Sequence, residues 1–379
     1  MTRVAERAAP MLTVDLGAVA HNTRVLAAAT PATLMAVVKG DGFGAGATAV
    51  ARTALANGAG RLGVATVAEA VALRRAGLLA PVLSWLNPVD ADFGPALALG
   101  VEIAVPSTEH LAAVAAAAGR GRARIHLHVD VGMARDGAPP RRWADLCLAA
   151  TRAERAGNVE VVGVMGHLGW ADTPGDTLNL RARRRFEEAV AVARLAGLRP
   201  HWRHLAATAA TLHLPALHYD LCRVGAGLVG IDPAGRTPLE PAATLTAPVV
   251  SVRDVPAGTY VGYGRNWLTQ RRTRLALLPV GYADGLPRTA SGRAEVLLRG
   301  RRRPVAGMVS MDSVVVDVGN DPVAPGEVAT VFGPGHRGEP TAEEWAGWAG
   351  TLAHEIVSGV GPRVVRRTVE AASLAAVGS

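Results

Sequence analysis

The chain has 379 residues, 49% of them apolar, 19% charged and 4% aromatic, with a formal net charge of +8. That length predicts one large and one smaller domain, the composition suits a globular enzyme, and no apolar run is long enough to span a membrane. The basic runs Arg181 to Arg185 and Arg299 to Arg303 lack the aromatic interleaving of a nucleic-acid surface and read as solvated faces with a bias toward anionic ligands. Cys147 and Cys222 form neither a metal-type nor a redox pair. No continuous apolar segment precedes Asp15, so a cytoplasmic protein is the expectation.

In chain order, strands are predicted at Leu34 to Val38, Leu62 to Ala65, Pro81 to Trp85, Glu102 to Val105, Ile125 to Val129, Val161 to Met165 and His201 to His204, with Val224 to Val229 as an eighth. Helical stretches such as Thr66 to Ala76, Thr108 to Ala118 and Arg181 to Ala196 lie between them. This alternation predicts a parallel sheet, and eight such units fit a TIM-like (β/α)8 barrel with its chemistry at the C-terminal strand ends. A doubly wound open sheet is the structural alternative. Near residue 240 the long helices stop. Thr246 to Val255, Arg274 to Val280, Ala294 to Leu298, Arg303 to Val309, Val314 to Val318 and Val328 to Phe332 read as strands separated by Gly, Pro and Asp turns. Short helices are predicted at Thr341 to Trp348 and Thr351 to Ile356. The expected domains are therefore an α/β barrel of residues 1–240 and a β-rich C-terminal domain of residues 241–379.

The stretch Ala36-Val37-Val38-Lys39-Gly40-Asp41-Gly42-Phe43-Gly44 puts a lysine at the end of an apolar run that reads as a strand buried on both faces. Desolvation there favours the neutral amine, a nucleophile that forms a Schiff base with an aldehyde. The same pattern also suits a lysine that snorkels out of a strand end.

The segment resembles the cofactor-lysine motif of the alanine racemases, which bind pyridoxal 5′-phosphate (PLP), and further matches follow in that family's order. They are Met11 to Leu16 with His21-Asn22, Val129 to Arg135, Gly166 to Asp172, Ala206 to Leu212, Arg223 to Leu228, Tyr263-Gly264, Gly281 to Gly285 and Ser310-Met311-Asp312. The resemblance implies a two-base racemase. Lys39 attaches PLP and serves the D-side of the α-carbon, and Tyr263 serves the L-side. A tyrosine hydroxyl is a poor base until neighbours stabilise its phenolate, and His167 and Arg223 are the implied neighbours. Arg223 would face the pyridine nitrogen and keep it unprotonated, because arginine only donates; that restrains side reactions such as transamination. His204 suits either an orienting partner for this shell or a satisfied strand-end histidine. Thr208, Gly225 and Ala226 would hold the phosphate, with Phe43 beside them. Arg135 would reach the substrate carboxylate or the cofactor's phenolic oxygen. Tyr282 and Met311 would cap the pocket, although core packing is the commoner use of a methionine. The implied partners are a small amino-acid substrate and a second copy of the chain, in a head-to-tail homodimer with shared sites. D-alanine for peptidoglycan is the implied product.

Several positions depart from the family pattern. Phe43 stands where a tyrosine usually bonds the phosphate, and Ala45 replaces a common histidine. His128 occupies the place of a carbamylated lysine, Ala134 that of a glycine and Ala207 that of an asparagine, and no tyrosine follows Gly361-Pro362-Arg363. These leave open a racemase of serine or another small amino acid, and a degenerate PLP-binding protein without turnover. A decarboxylase of similar build is disfavoured by Arg223 and by the missing C-terminal cysteine. A single-barrel PLP carrier is disfavoured by the β-rich half.

Overall fold

The computed structural model describes residues 9–370; the small-residue C-terminus lies outside them. The strands in chain order are β1 (Met11–Asp15), β2 (Thr33–Val37), β3 (Ala59–Val64), β4 (Val82–Ser84), β5 (Glu102–Val105), β6 (Ala123–His128), β7 (Val159–Met165), β8 (Trp202–His204), β9 (Leu221–Val224), β10 (Ala243–Pro248), β11 (Ser251–Val255), β12 (Thr273–Leu278), β13 (Glu295–Leu298), β14 (Arg301–Pro304), β15 (Val314–Gly319), β16 (Val328–Phe332) and β17 (Val365–Val369). They fall into two units, one of Val19–Leu239 and one that joins the described residues up to Ala18 with those from Glu240 onward.

In the first unit, eight parallel strands run in the order β8-β7-β6-β5-β4-β3-β2-β9. Backbone bonds from Asp220 N to Arg203 O (3.1 Å) and from Arg223 N to Ala206 O (3.0 Å) bring the two ends of the sheet together, so the barrel is near-closed. Strands such as Leu34-Met35-Ala36-Val37 are buried on both faces, because helices cover the outside and side chains fill the inside. The helices between strands include Ala47–Ala56, Val67–Arg75, Thr108–Ala117, Pro140–Arg155 and Thr177–Leu195.

One expected element differs. The eighth strand is Leu221–Val224, and Ala226–Val229 is a 3-10 turn. Gly225 and Gly227 interrupt the apolar run there, and their N–H groups bond Thr208 Oγ1 instead of a neighbouring strand. Lys39 opens a tight turn: Gly40, Asp41 and Gly42 all have left-handed backbones (φ 60, 52 and 64°), and Phe43 continues it (φ 60°). Consecutive left-handed residues are costly for side chains, and glycine at 40 and 42 keeps that cost to two positions.

The second unit holds a six-stranded sheet, order β14-β13-β16-β10-β1-β17, and a three-stranded sheet, order β11-β12-β15. The expected domain of residues 1–240 thus differs at its N-terminal end. β1 pairs antiparallel with β10 and parallel with β17. Its Leu12 and Val14 are buried while Met11, Thr13 and Asp15 are only half-buried, the alternation of a sheet with one covered face rather than of a barrel strand. The expected strand Thr246 to Val255 is split between both sheets after Pro248, which lacks an N–H for the ladder.

Candidate active site

Five of the expected residues stand at C-terminal strand ends of one barrel: Lys39 after β2, Arg135 after β6, His167 after β7, Thr208 after β8, and Arg223 on β9 itself. β2 and β9 are neighbours, with Met35 opposite Arg223. Burial, then the charges of Arg135 and Arg223, push the Lys39 ammonium below its usual pKa, while Glu69 opposes them. Lys39 is also the only lysine in the sequence; the other 39 lysine-or-arginine positions are arginine. Composition alone contained that signal.

Glu69 was not among the expected residues. One of its oxygens accepts from Gly40 N (2.8 Å) and the other from Ala65 N (2.9 Å) and Thr66 N (3.1 Å). It ties the loop after β3 to the lysine turn. Its signal was the capping pattern Thr66-x-x-Glu69 at the start of the helix Val67–Arg75.

Arg223 is buried and held by five acceptor atoms at its Nη atoms. Nη1 donates to His204 Nδ1 (3.1 Å) and His204 O (3.0 Å). Nη2 donates to Gly166 O (2.8 Å), His167 Nδ1 (3.2 Å) and Leu205 O (3.4 Å). Among the described residues, Nε is the one guanidinium nitrogen without a protein acceptor. Burial, followed by repulsion from Arg135, outweighs the opposing effect of Cys222 and pulls Arg223 down to about 10, so it remains a cation at neutral pH. Burial and then Arg223 hold His167 well below the usual histidine value. A neutral His167 that accepts at Nδ1 carries its proton on Nε2.

Thr208 Oγ1 accepts from Gly225 N (3.3 Å) and Gly227 N (3.2 Å). Its own hydroxyl hydrogen is therefore left for another acceptor. Gly225 N–H is engaged, whereas Ala226 opens the 3-10 turn, where an N–H has no intrahelical partner. A Cβ at Gly225 would lie 2.7 Å from the Phe43 ring, so glycine lets the aromatic ring lie against this cradle. The donor set fits PLP: an amine for the aldehyde, a guanidinium Nε–H for the ring nitrogen, and a hydroxyl with backbone amides for the dianion.

Arg135 is exposed and follows a loop shaped by Asp130, whose Oδ1 accepts from Gly132 N, Met133 N and Ala134 N (2.8, 3.0 and 3.1 Å). Ala134 has φ 55°, which explains why a glycine suits that position. His128 is buried, with Nδ1 3.4 Å from Asp136 Oδ2. Burial alone would raise the Asp136 pKa, but His128, together with the Gly137 N–H and His110, outweighs it and holds the carboxyl below its usual range. Asp136 thus places beside His128 a negative charge that a neutral imidazole cannot supply. It too was missed, although it follows Arg135 directly.

Tyr263, Tyr282 and Met311 lie in the other unit, and all three are exposed (70%, 41% and 52%). Segment 307–311 backs both turns that carry them. Tyr282 N donates to Ser310 O (3.0 Å) and Ala283 N to Met311 O (2.9 Å), and Asn266 Nδ2 reaches Met308 Sδ (3.1 Å). Met311 is not a core residue. Arg363 braces the same region through Asp312 (2.6 Å) and the buried Asp284 (3.0 Å).

The family profile described as alanine racemase, N-terminal domain, matches residues 14–233, and that described as alanine racemase, C-terminal domain, matches residues 242–368. The chain is 47% identical over 365 residues to alanine racemase of Frankia casuarinae, covering 94% of this chain and 95% of that one. It is 46% identical over 366 residues to the alanine racemase of Mycobacterium tuberculosis H37Rv, covering 94% and 95%. The crystal structure of alanine racemase from D-cycloserine-producing Streptomyces lavendulae is similar with a TM-score of 0.93 and 42% identity, over 96% of this chain and 97% of that one.

Proposed function

Since this chain belongs to the alanine racemase family, we propose that it interconverts L- and D-alanine with PLP attached at Lys39. The observation that carries this reading is the placement of the chain's only lysine at the end of β2, beside the strand that carries Arg223. When bound, PLP supplies an electron sink that acidifies the α-C–H of an attached amino acid. Lys39 Nζ would take or return the α-proton on one face. The Tyr263 hydroxyl does so on the other, so the α-carbon inverts. Arg223 would offer Nε–H to the ring nitrogen and keep it unprotonated, because a guanidinium has no lone pair to accept with. Thr208 O–H and Ala226 N–H would hold the phosphate, and Phe43 would contribute ring packing without a hydroxyl. Arg135 receives the substrate carboxylate, and Tyr282 and Met311 close the pocket.

The exposure of Tyr263, Tyr282 and Met311 supports a second copy of the chain as their place of action, in a head-to-tail homodimer. The test is α-proton exchange in D2O, followed by proton NMR, with each enantiomer of alanine and of serine and with added PLP. Exchange with loss of optical purity from both alanine enantiomers is expected. Faster loss with serine reassigns the substrate, exchange without inversion removes Tyr263 from its role, and no exchange at saturating PLP overturns the reading.

A further inference from the structure

The barrel interior contains a chain of polar side chains that the racemisation above does not use. Glu102, first residue of β5, is 1% exposed. Its Oε2 is 2.8 Å from His126 Nε2, and the same carboxylate pairs with Arg61 and Arg124. His126 Nδ1 is 2.9 Å from His204 Nε2, with the two rings edge to face at 85°. His204 Nδ1 is 3.1 Å from Arg223 Nη1. All four side chains are buried.

The two ends fix every proton between them. Arginine only donates, so His204 Nδ1 accepts and its proton sits on Nε2. That N–H donates to His126 Nδ1, so His126 carries its proton on Nε2 and donates to Glu102, which as a carboxylate only accepts. The direction is Arg223 to His204 to His126 to Glu102, with no ambiguity at any link. Burial keeps both imidazoles neutral by lowering their pKa values. The neighbouring strand is cut to fit: a Cβ at Gly163 on β7 would overlap His126 Nδ1, and the β6–β7 register shifts just at His126.

We propose that Glu102 and His126 are positioning residues for Arg223, a one-way hydrogen-bond chain that locks the guanidinium with Nε toward the mouth and draws part of its charge toward a buried carboxylate. Each link polarises the next in a low-dielectric interior. The functional consequence rests on Arg223 facing the cofactor ring; the chain itself does not.

The experiment compares His126→Leu, which cuts the chain, with His126→Gln, whose amide can still accept from His204 and donate to Glu102. In the cofactor-free protein, two exchange-protected downfield imidazole N–H signals are expected, from His126 and His204. The His204 signal persists in H126Q; in H126L it moves upfield and loses protection. In the PLP-loaded enzyme, pyruvate release from alanine, in which the amino group stays behind on the cofactor as pyridoxamine 5′-phosphate, is measured against racemisation. That ratio rises about ten-fold in H126L, the size of effect typical of losing an outer hydrogen-bond partner, and stays near the parent in H126Q. If H126L does not fold, His126→Asn, too short to span both neighbours, replaces it. An unchanged His204 signal overturns the chain, and a lost signal with an unchanged ratio overturns its influence on Arg223. Failure of the racemase reading leaves the cofactor-free signals as expected, so the two failures are distinct.

Discussion

At the scale of single residues, the site contains groups whose charges work against the fold. Lys39 is desolvated and faces two arginines, so its protonated form is disfavoured in the native state. The unfolded chain then binds more protons between the native and unfolded lysine pKa values, and stability rises with pH across that window. Lys39→Met should abolish racemisation yet stabilise the cofactor-free protein at neutral pH by about 0.5–1 kcal/mol, allowing for partial exposure; thermal melts of the variant against the parent measure this, and the difference should shrink as pH rises. Glu69 acts in the opposite direction, raising the Lys39 pKa. Glu69→Gln should therefore let the amine react with pyridoxal at lower pH, read as the midpoint of imine absorbance against pH in cofactor-free protein; an unmoved midpoint removes Glu69 from this role. Tyr263→Phe should cost roughly 10²–10⁴-fold in kcat, the usual contribution of a positioned acid–base group, while deuterium exchange with retention persists for one alanine enantiomer.

At the scale of elements, the lysine turn and the phosphate cradle depend on glycines for different reasons. A Cβ at Gly40 meets nothing within 4 Å, so its constraint is the backbone (φ +60°) alone. Gly40→Ala should cost about 1–2 kcal/mol from the left-handed conformation, measured by urea unfolding, with PLP affinity falling in parallel. Gly225 has an ordinary backbone sign (φ −133°) and is constrained by space, since a Cβ there would press on Phe43 at 2.7 Å. Gly225→Ala should cost about 1–3 kcal/mol by overpacking against Phe43 and Val37, measured by urea unfolding, and weaken PLP retention, followed by its absorbance after dialysis. The motif Lys39-Gly-Asp-Gly-Phe was legible in the sequence as a turn, but its left-handed course was not, because a run of left-handed residues has no pattern beyond its glycines.

At the scale of the whole molecule, the lysine and the tyrosine assigned to the two faces belong to different units. If the dimer shares its sites, Lys39→Ala and Tyr263→Phe, each inactive, should complement when mixed and refolded together. Half of the dimers are then mixed, each with one intact site, so recovery should approach about a quarter of the parent activity. No recovery would place both residues in one subunit. β1 belongs to the second unit, between β10 and β17, so deletion through Asp15 should destabilise the β-rich unit more than the barrel, resolved by hydrogen exchange of the two units.

The strand–helix alternation determined the barrel, because a strand covered on both faces must be apolar throughout and its helix must return over it. The ordered motifs marked the family and the residues at the strand ends. Tertiary structure alone decided where β1 pairs, since its alternating burial fits any sheet with one covered face. It alone brought Glu102, His126, His204 and Arg223 into line, because hydrogen bonds between residues on β5, β6, β8 and β9 depend on which side chains the closed barrel turns inward. It also set Asp136 beside His128, across a loop whose course is fixed by the amides that Asp130 gathers. Local sequence carries periodicity and turn chemistry; the partners of a buried charge are chosen by the fold that removes it from water.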